Sequence, residues 1–264
     1  MWRTSQRIWQ RRAVVVYLVQ RELTSNYRTK AFGFAWAVLD PLLFMSVYYI
    51  VFGRILATRP PSFMVHLFIG VVMFNLLRTV TTQSAGCLKS QAGLIREISF
   101  PTAILPTSIL IARLFDFFVA WLVAIPLSII FGNTVTWHWL LIPFTAILQI
   151  LFVAGLAFMV AHVGVFFADI QNILRVVMRL WFYMTPILYP LSLVKGKAAN
   201  YPLLLKLYLL NPMVSLVECY AALAQKAQFP ESSMLLQAAV IGVAVFLLGL
   251  FIFSRSEGQL TKYV

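Results

Sequence analysis

From Trp137 to Phe166 the chain runs without a single Asp, Glu, Lys or Arg. A helix of that length covers the roughly 30 Å of hydrocarbon in a bilayer, for which about 20 apolar residues suffice. The pattern recurs at Trp36 to Leu56, Phe63 to Ser84, Ala103 to Phe131, Ile173 to Val194 and Met234 to Phe253. Inside a bilayer no water satisfies backbone N–H and C=O groups, so such runs cross it as helices. The expected fold is an all-α integral membrane protein with six transmembrane helices. Composition agrees, because 61% of the 264 residues are hydrophobic and only 11% charged, against about 25% charged in soluble domains.

The formal charge of +13 is concentrated, with seven basic residues in the first thirty positions beside apolar segments. That placement suits membrane lipid and not nucleic acid. Residues 1–34 do not form a signal peptide, because the apolar run Ala13 to Val19 is short and charged QRELTSNYRTK follows it in place of a small-residue cleavage site. Ser5 to Leu23 reads as an amphipathic interfacial helix, with Ile8, Trp9, Val15, Val16, Val19 and Leu23 toward lipid. Residues 35–264 form one transmembrane domain. The basic N-terminus, the Lys89/Arg96 loop, Asp169 to Arg179 and the Arg255/Lys262 tail fall on one side, which sets both termini in the cytoplasm. In the fifth connection, Lys195 to Ser233, apolar stretches shorter than a span break at Asn211-Pro212. They read as short re-entrant or interfacial helices before the last span, the alternative being a seventh span.

Cys87 and Cys219 are too few for a disulfide framework or a four-ligand metal site, and His66, His138 and His162 are scattered singly. No metal is implied. No GxxxxGK[ST] occurs, so the chain carries no P-loop and any ATP is bound elsewhere. The loop QAGLIREISFP between spans two and three is half charged. As a helical turn, Leu94, Ile95 and Ile98 share a face while Arg96 and Glu97 point elsewhere. Two readings stand: an apolar knob for a partner's groove, or an interfacial connector carrying a charge pair.

The stretch RELTSNYRTKAFGFAWAVLDPLLFMSVYYIVFG resembles the N-terminal signature of ABC-2 type permeases that export polysaccharides. The matching elements are Arg21-Glu22-Leu23, Tyr27-Arg28, Phe32-Gly33 with Trp36, and Asp40-Pro41. LIREISFPTAILP, FFADIQNILRVVMRLWFYMTPILYP and LLNPMVSLVE are similar to later segments of the same family, in the same order. The chain departs from the family pattern at Ala168-Asp169, where Arg commonly precedes the Asp, and at Ala221 or Ala222, where an Arg often stands. The resemblance implies a non-catalytic permease subunit in a bacterial inner membrane. It would work as a homodimer bound to two separate ATPase subunits, which hold ATP and Mg, and would export a lipid-linked polysaccharide of O-antigen or capsular type. Leu88 to Phe100 would then be the coupling helix that docks on the ATPase.

Charges inside spans cost several kcal/mol unless paired or wet. Arg113 and Asp116 are three residues apart and can pair on one helix. Asp40, beside Pro41, lacks a local partner, and Arg78 in span two is the candidate. Arg175 and Arg179, four apart, form a cationic strip that either holds a lipid-linked pyrophosphate or anchors the span. Two aromatic clusters, Tyr48, Tyr49 and Phe52 in span one and Trp181, Phe182, Tyr183 and Tyr189 around the Thr185-Pro186 break of span five, either stack on sugar rings along a glycan path or pack between helices. Export of a smaller cargo, such as a lipo-oligosaccharide or drug, is the near alternative. An unenergised channel or ion-coupled carrier is the distant one, for which the few buried acids offer little of a proton relay.

Overall fold

In lipid a helix satisfies its own backbone, so an apolar chain folds as a set of helices joined where Gly, Pro and Asn interrupt them. The computed structural model describes residues 12–28, 31–51, 63–97, 100–167, 169–198 and 200–263, and every regular element among them is helical. Helix α1 is Arg12–Tyr27. A short turn, Gly33–Ala35, leads into α2 (Trp36–Tyr48), and then come α3 (Phe63–Ser90), α4 (Ala92–Glu97) and α5 (Ile104–Ile130). The turn Trp137–Leu141 opens α6 (Ile142–Phe166), followed by α7 (Ile170–Tyr183), α8 (Leu191–Lys197), α9 (Pro202–Leu209), α10 (Pro212–Ala224) and α11 (Ser232–Tyr263). Five stretches are long and apolar enough to cross a membrane: Gly33–Val51, Phe63–Ser90, Ile104–Ile130, Trp137–Phe166 and Ser232–Ser256.

The fifth span was expected to run from Ile173 to Val194 across a break at Thr185-Pro186; the break is there, and the length of the span is corrected. Helix α7 stops at Tyr183 after 14 residues, about 21 Å at 1.5 Å per residue. Pro186 has no N–H to continue the ladder and its ring collides with the preceding turn. The Thr185 hydroxyl takes up one freed carbonyl by donating to Trp181 O at 2.8 Å. Non-helical backbone at membrane depth is tolerated where protein covers it, and Thr185, Pro186 and Ile187 are all buried. Helices α9 and α10, bent by 73° at Asn211-Pro212, have the geometry of a broken span or re-entrant pair and bring the total to six if taken as one span. The break falls where the sequence placed it.

Helix α3 is the centre of the bundle. Its apolar window is 83% buried, against 11% for the first span, because α2, α5, α6 and α7 all pack on it. Close approach depends on glycine. A methyl group at Gly164 of α6 would lie 2.8 Å from the Ala85 carbonyl carbon of α3, and one at Gly242 of α11 would lie 3.0 Å from Leu148 O of α6. Small residues let helix backbones meet in this way, which matters where lipid supplies no hydrophobic drive between helices. One buried amide joins three elements: Gln149 of α6 donates to Met73 O of α3 at 2.8 Å and accepts from the Tyr220 hydroxyl of α10 at 3.0 Å. Both cysteines are buried and free.

Helix α1 lies against α5. Its apolar residues form a continuous run, so they cannot all share one face. Leu18 turns inward to a cluster with Leu88, Ile104 and Ile109, while Val16 and Tyr17 are exposed. Of the residues expected on the lipid face, Val16 is exposed, whereas Val15 packs inward. Ile8 and Trp9 lie outside the described residues.

Candidate functional site

The first polar constellation is built on Arg113, which is buried in α5. As expected from the three-residue spacing, its Nη1 donates to Asp116 Oδ2 at 2.8 Å. Its Nε donates to Gln83 Oε1 of α3 at 3.1 Å, and its Nη2 lies 3.9 Å from Glu22 Oε2 of α1. The Tyr27 hydroxyl donates to Asp116 Oδ1. Burial, and after it the bond to Asp116, push the Tyr27 phenol well above its ordinary range, so it remains a donor. One network therefore ties the N-terminal helix to spans two and three. Glu22 and Tyr27 belong to the motif region read from the sequence, whereas Gln83 was missed.

The second constellation answers the question of Asp40. Asp40 and Arg78 do not touch directly but are joined through Asn75, whose Nδ2 donates to Asp40 Oδ2 at 3.4 Å and whose Oδ1 accepts from Arg78 Nη2 at 2.9 Å. The signal for Asn75 was present, because Asn75, Arg78, Thr79, Thr82 and Gln83 recur at helical spacing in span two.

The aromatic candidates divide. Phe182 of α7 meets Phe44 of α2 edge-on at 5.7 Å and Phe74 of α3 at 5.2 Å, and Phe44 pairs with Tyr48 at 4.8 Å. Tyr183 pairs with Phe182 at 5.7 Å. Spans one and five therefore bring Tyr48, Phe182 and Tyr183 into one cluster, to which the unforeseen Phe44 also belongs. Tyr49 turns away, toward Phe131 at 5.8 Å. Trp181 points into the protein, toward Phe152 at 6.1 Å, and Phe52 lies outside the described residues.

Asn211 emerges as a joint between the broken span and the short helices. Its Oδ1 accepts from Trp181 Nε1 at 2.9 Å and from the Met213 amide at 3.0 Å, capping α10, while its Nδ2 donates to Met184 O at 3.3 Å. On the other side His66 Nε2 donates to Pro186 O at 2.8 Å, and a methyl group at Gly70 would come 2.7 Å from Ile187. Tyr189 donates to Tyr183 O at 2.7 Å. The non-helical segment after α7 is thus held from three directions.

Leu94 and Ile95 of α4 are half-buried and pack on the cluster that contains Leu18, so part of the expected apolar knob rests on the chain's own α1. Arg21 Nη1 also donates to Gln91 Oε1 at 2.7 Å. Ile98 and the side chains of Arg96 and Glu97 lie outside the described residues. Arg175 and Arg179 are exposed on α7, and Arg175 donates to Asn172 Oδ1.

Comparison with known proteins agrees with this architecture. The ABC-2 type transporter family matches residues 13–224, from α1 to the end of α10. The chain belongs to the ABC-2 type transporter family. An O-antigen export system permease protein RfbA of Myxococcus xanthus is 32% identical over 97% of this chain and 98% of its own. The RfbA permease of Klebsiella pneumoniae is 26% identical over 70% of this chain and 71% of its own. The polysialic acid transport protein KpsM of Escherichia coli is 24% identical over 95% and 96%. As an ABC-2 transporter the chain is an integral membrane protein, and the match includes both α1 and the short helices α8 to α10 within one unit.

Proposed function

We propose that this chain is the permease subunit of an ABC exporter carrying a lipid-linked polysaccharide of O-antigen or capsular type across the bacterial inner membrane. The observation that carries the reading is the relation to an O-antigen export permease over 97% of this chain and 98% of the other. The permease acts as a homodimer with two ATPase subunits, which supply the ATP and Mg chemistry. Both termini and α4 face the cytoplasm, where Leu94, Ile95, Arg96, Glu97 and Ile98 meet the ATPase together with the exposed face of α1. Arg175 and Arg179 hold the pyrophosphate of the lipid carrier, since two guanidiniums one helical turn apart match adjacent phosphates. Asp40 and Arg78, bridged by Asn75, form a gate that opens when the bridge is broken.

The glycan runs past Tyr48, Phe182 and Tyr183, whose rings offer apolar faces for sugars. In cells making the glycan, Tyr48→Ala with Tyr183→Ala should slow surface appearance of long chains more than it slows ATP hydrolysis by the purified complex. Normal export by a well-expressed double variant would remove these aromatics from the path. Normal surface glycan after deletion of the whole chain would refute the function.

A further inference from the structure

Between α2, α3 and α5 lies a cavity of about 290 Å³, near the lower end of small-ligand sites at roughly 300 Å³. Among the described residues its charged lining is two arginines, Arg78 and Arg113, against two carboxylates, Asp40 and Asp116. We propose that this cavity binds one uncharged sugar unit of the transported glycan, a subsite that rests on the polysaccharide reading and names where a single ring is held.

The balance of charge selects the ligand class. A phosphate would face Asp40 and Asp116 as well as the arginines, and repulsion from the carboxylates offsets the attraction. An acyl tail would strip water from four charged groups without replacing their hydrogen bonds. A sugar hydroxyl both donates and accepts, so it can bridge a carboxylate and a guanidinium at once. Trp36 and Tyr27 also line the cavity, and aromatic faces stack on the apolar faces of pyranose rings.

The groups differ in readiness in a way that suits such a site. Arg113 and Asp116 are held to each other, to Gln83 and to Tyr27, which makes that wall preorganised. Asp40 and Arg78 are exposed, and the Asn75 contact to Asp40 is long at 3.4 Å, so a hydroxyl can replace it at small cost. Asn75 and Thr79, four residues apart on α3, place an amide and a hydroxyl on the same face. A cavity of this size takes a ring and not a stretch of polymer, so it registers a chain end or one unit at a time.

The test uses the permease with its ATPase subunit in nanodiscs, and saturation-transfer NMR with glucose, galactose, mannose and rhamnose as probes, inorganic pyrophosphate serving as a charged competitor. The expected result is transfer to at least one sugar, weakened roughly fivefold by Asn75→Leu, the equivalent of one hydrogen bond, and unaffected by pyrophosphate. Should Asn75→Leu fail to fold, Thr79→Val carries the same expectation. No transfer to any sugar, transfer indifferent to the variants, or displacement by pyrophosphate would each overturn the subsite. A wild-type complex that exports polysaccharide yet gives no transfer sinks the subsite alone, whereas one that exports none sinks the functional reading on which it rests.

Discussion

Replacing Asn211 by Ala should loosen the joint between α7 and α10 without unfolding the bundle. The side chain makes three bonds, to Trp181 Nε1 at 2.9 Å, the Met213 amide at 3.0 Å and Met184 O at 3.3 Å. Loss of the helix cap costs about 1 kcal/mol. The other two bonds contribute about 0.6 kcal/mol each by the average found between membrane helices, and more if the half-buried Trp181 donor is left unpaired. The sum is roughly 2 to 3 kcal/mol, or roughly 30- to 150-fold in a local opening equilibrium at 1.4 kcal/mol per tenfold. The opening is local because His66 and Gly70 still hold Pro186 and Ile187 against α3. Hydrogen exchange followed by mass spectrometry should show this loss of protection in 184–190 and the first turn of α10, with α3 and α6 unchanged. Asn211→Ser retains the cap and should recover about 1 kcal/mol. Protection within twofold of wild type in Asn211→Ala would show that these bonds carry no weight, and Ser performing no better than Ala would refute the cap.

Gly164→Ala places a methyl 2.8 Å from the Ala85 carbonyl carbon, where no side chain can yield, so we expect a loss of about 1 to 3 kcal/mol; an unchanged Tm in detergent would refute the tight α3–α6 contact. Gln149→Leu removes the bond to Met73 O and orphans the Tyr220 hydroxyl, costing about 1 to 3 kcal/mol. Adding Tyr220→Phe should restore part of that stability, and a strictly additive double variant would show that the two side chains are not coupled. Leu94→Glu with Ile98→Glu should abolish ATP-coupled export while membrane insertion persists, and because Leu94 also rests on α1 the variant should increase protease sensitivity near residues 12–28; intact complex formation and export would exclude α4 as the coupling element.

Much of the fold was legible because crossing a bilayer is a property of local length and composition. The apolar runs of spans two, three, four and six appear as helices within a few residues, except that α3 and α11 continue beyond the expected ends. The break at Asn211-Pro212 was legible too, since Pro and Asn act through their own backbone chemistry. The Thr185-Pro186 break of span five was legible for the same reason, but its form was not, because that apolar run is satisfied by either a kinked helix or an open segment. Only the surroundings decide between them: His66, Gly70 and Asn211, distant in the chain, supply the hydrogen bonds and the space that make the open form stable.

The site divided along the same line. Pairing of Arg113 with Asp116 follows from a three-residue spacing, and a single helix contains all the information needed. Which aromatics meet does not follow, because a helix apolar on every side has no preferred rotation until its neighbours are present. Tyr48 and Tyr49 are adjacent in sequence, yet one joins Phe44 toward α7 and the other faces Phe131. Likewise the sequence determined that Asp40 and Arg78 need partners, from the cost of a charge in hydrocarbon. That Asn75 stands between them was decided by how α2 lies across α3, a matter of backbone approach and packing that no single segment encodes.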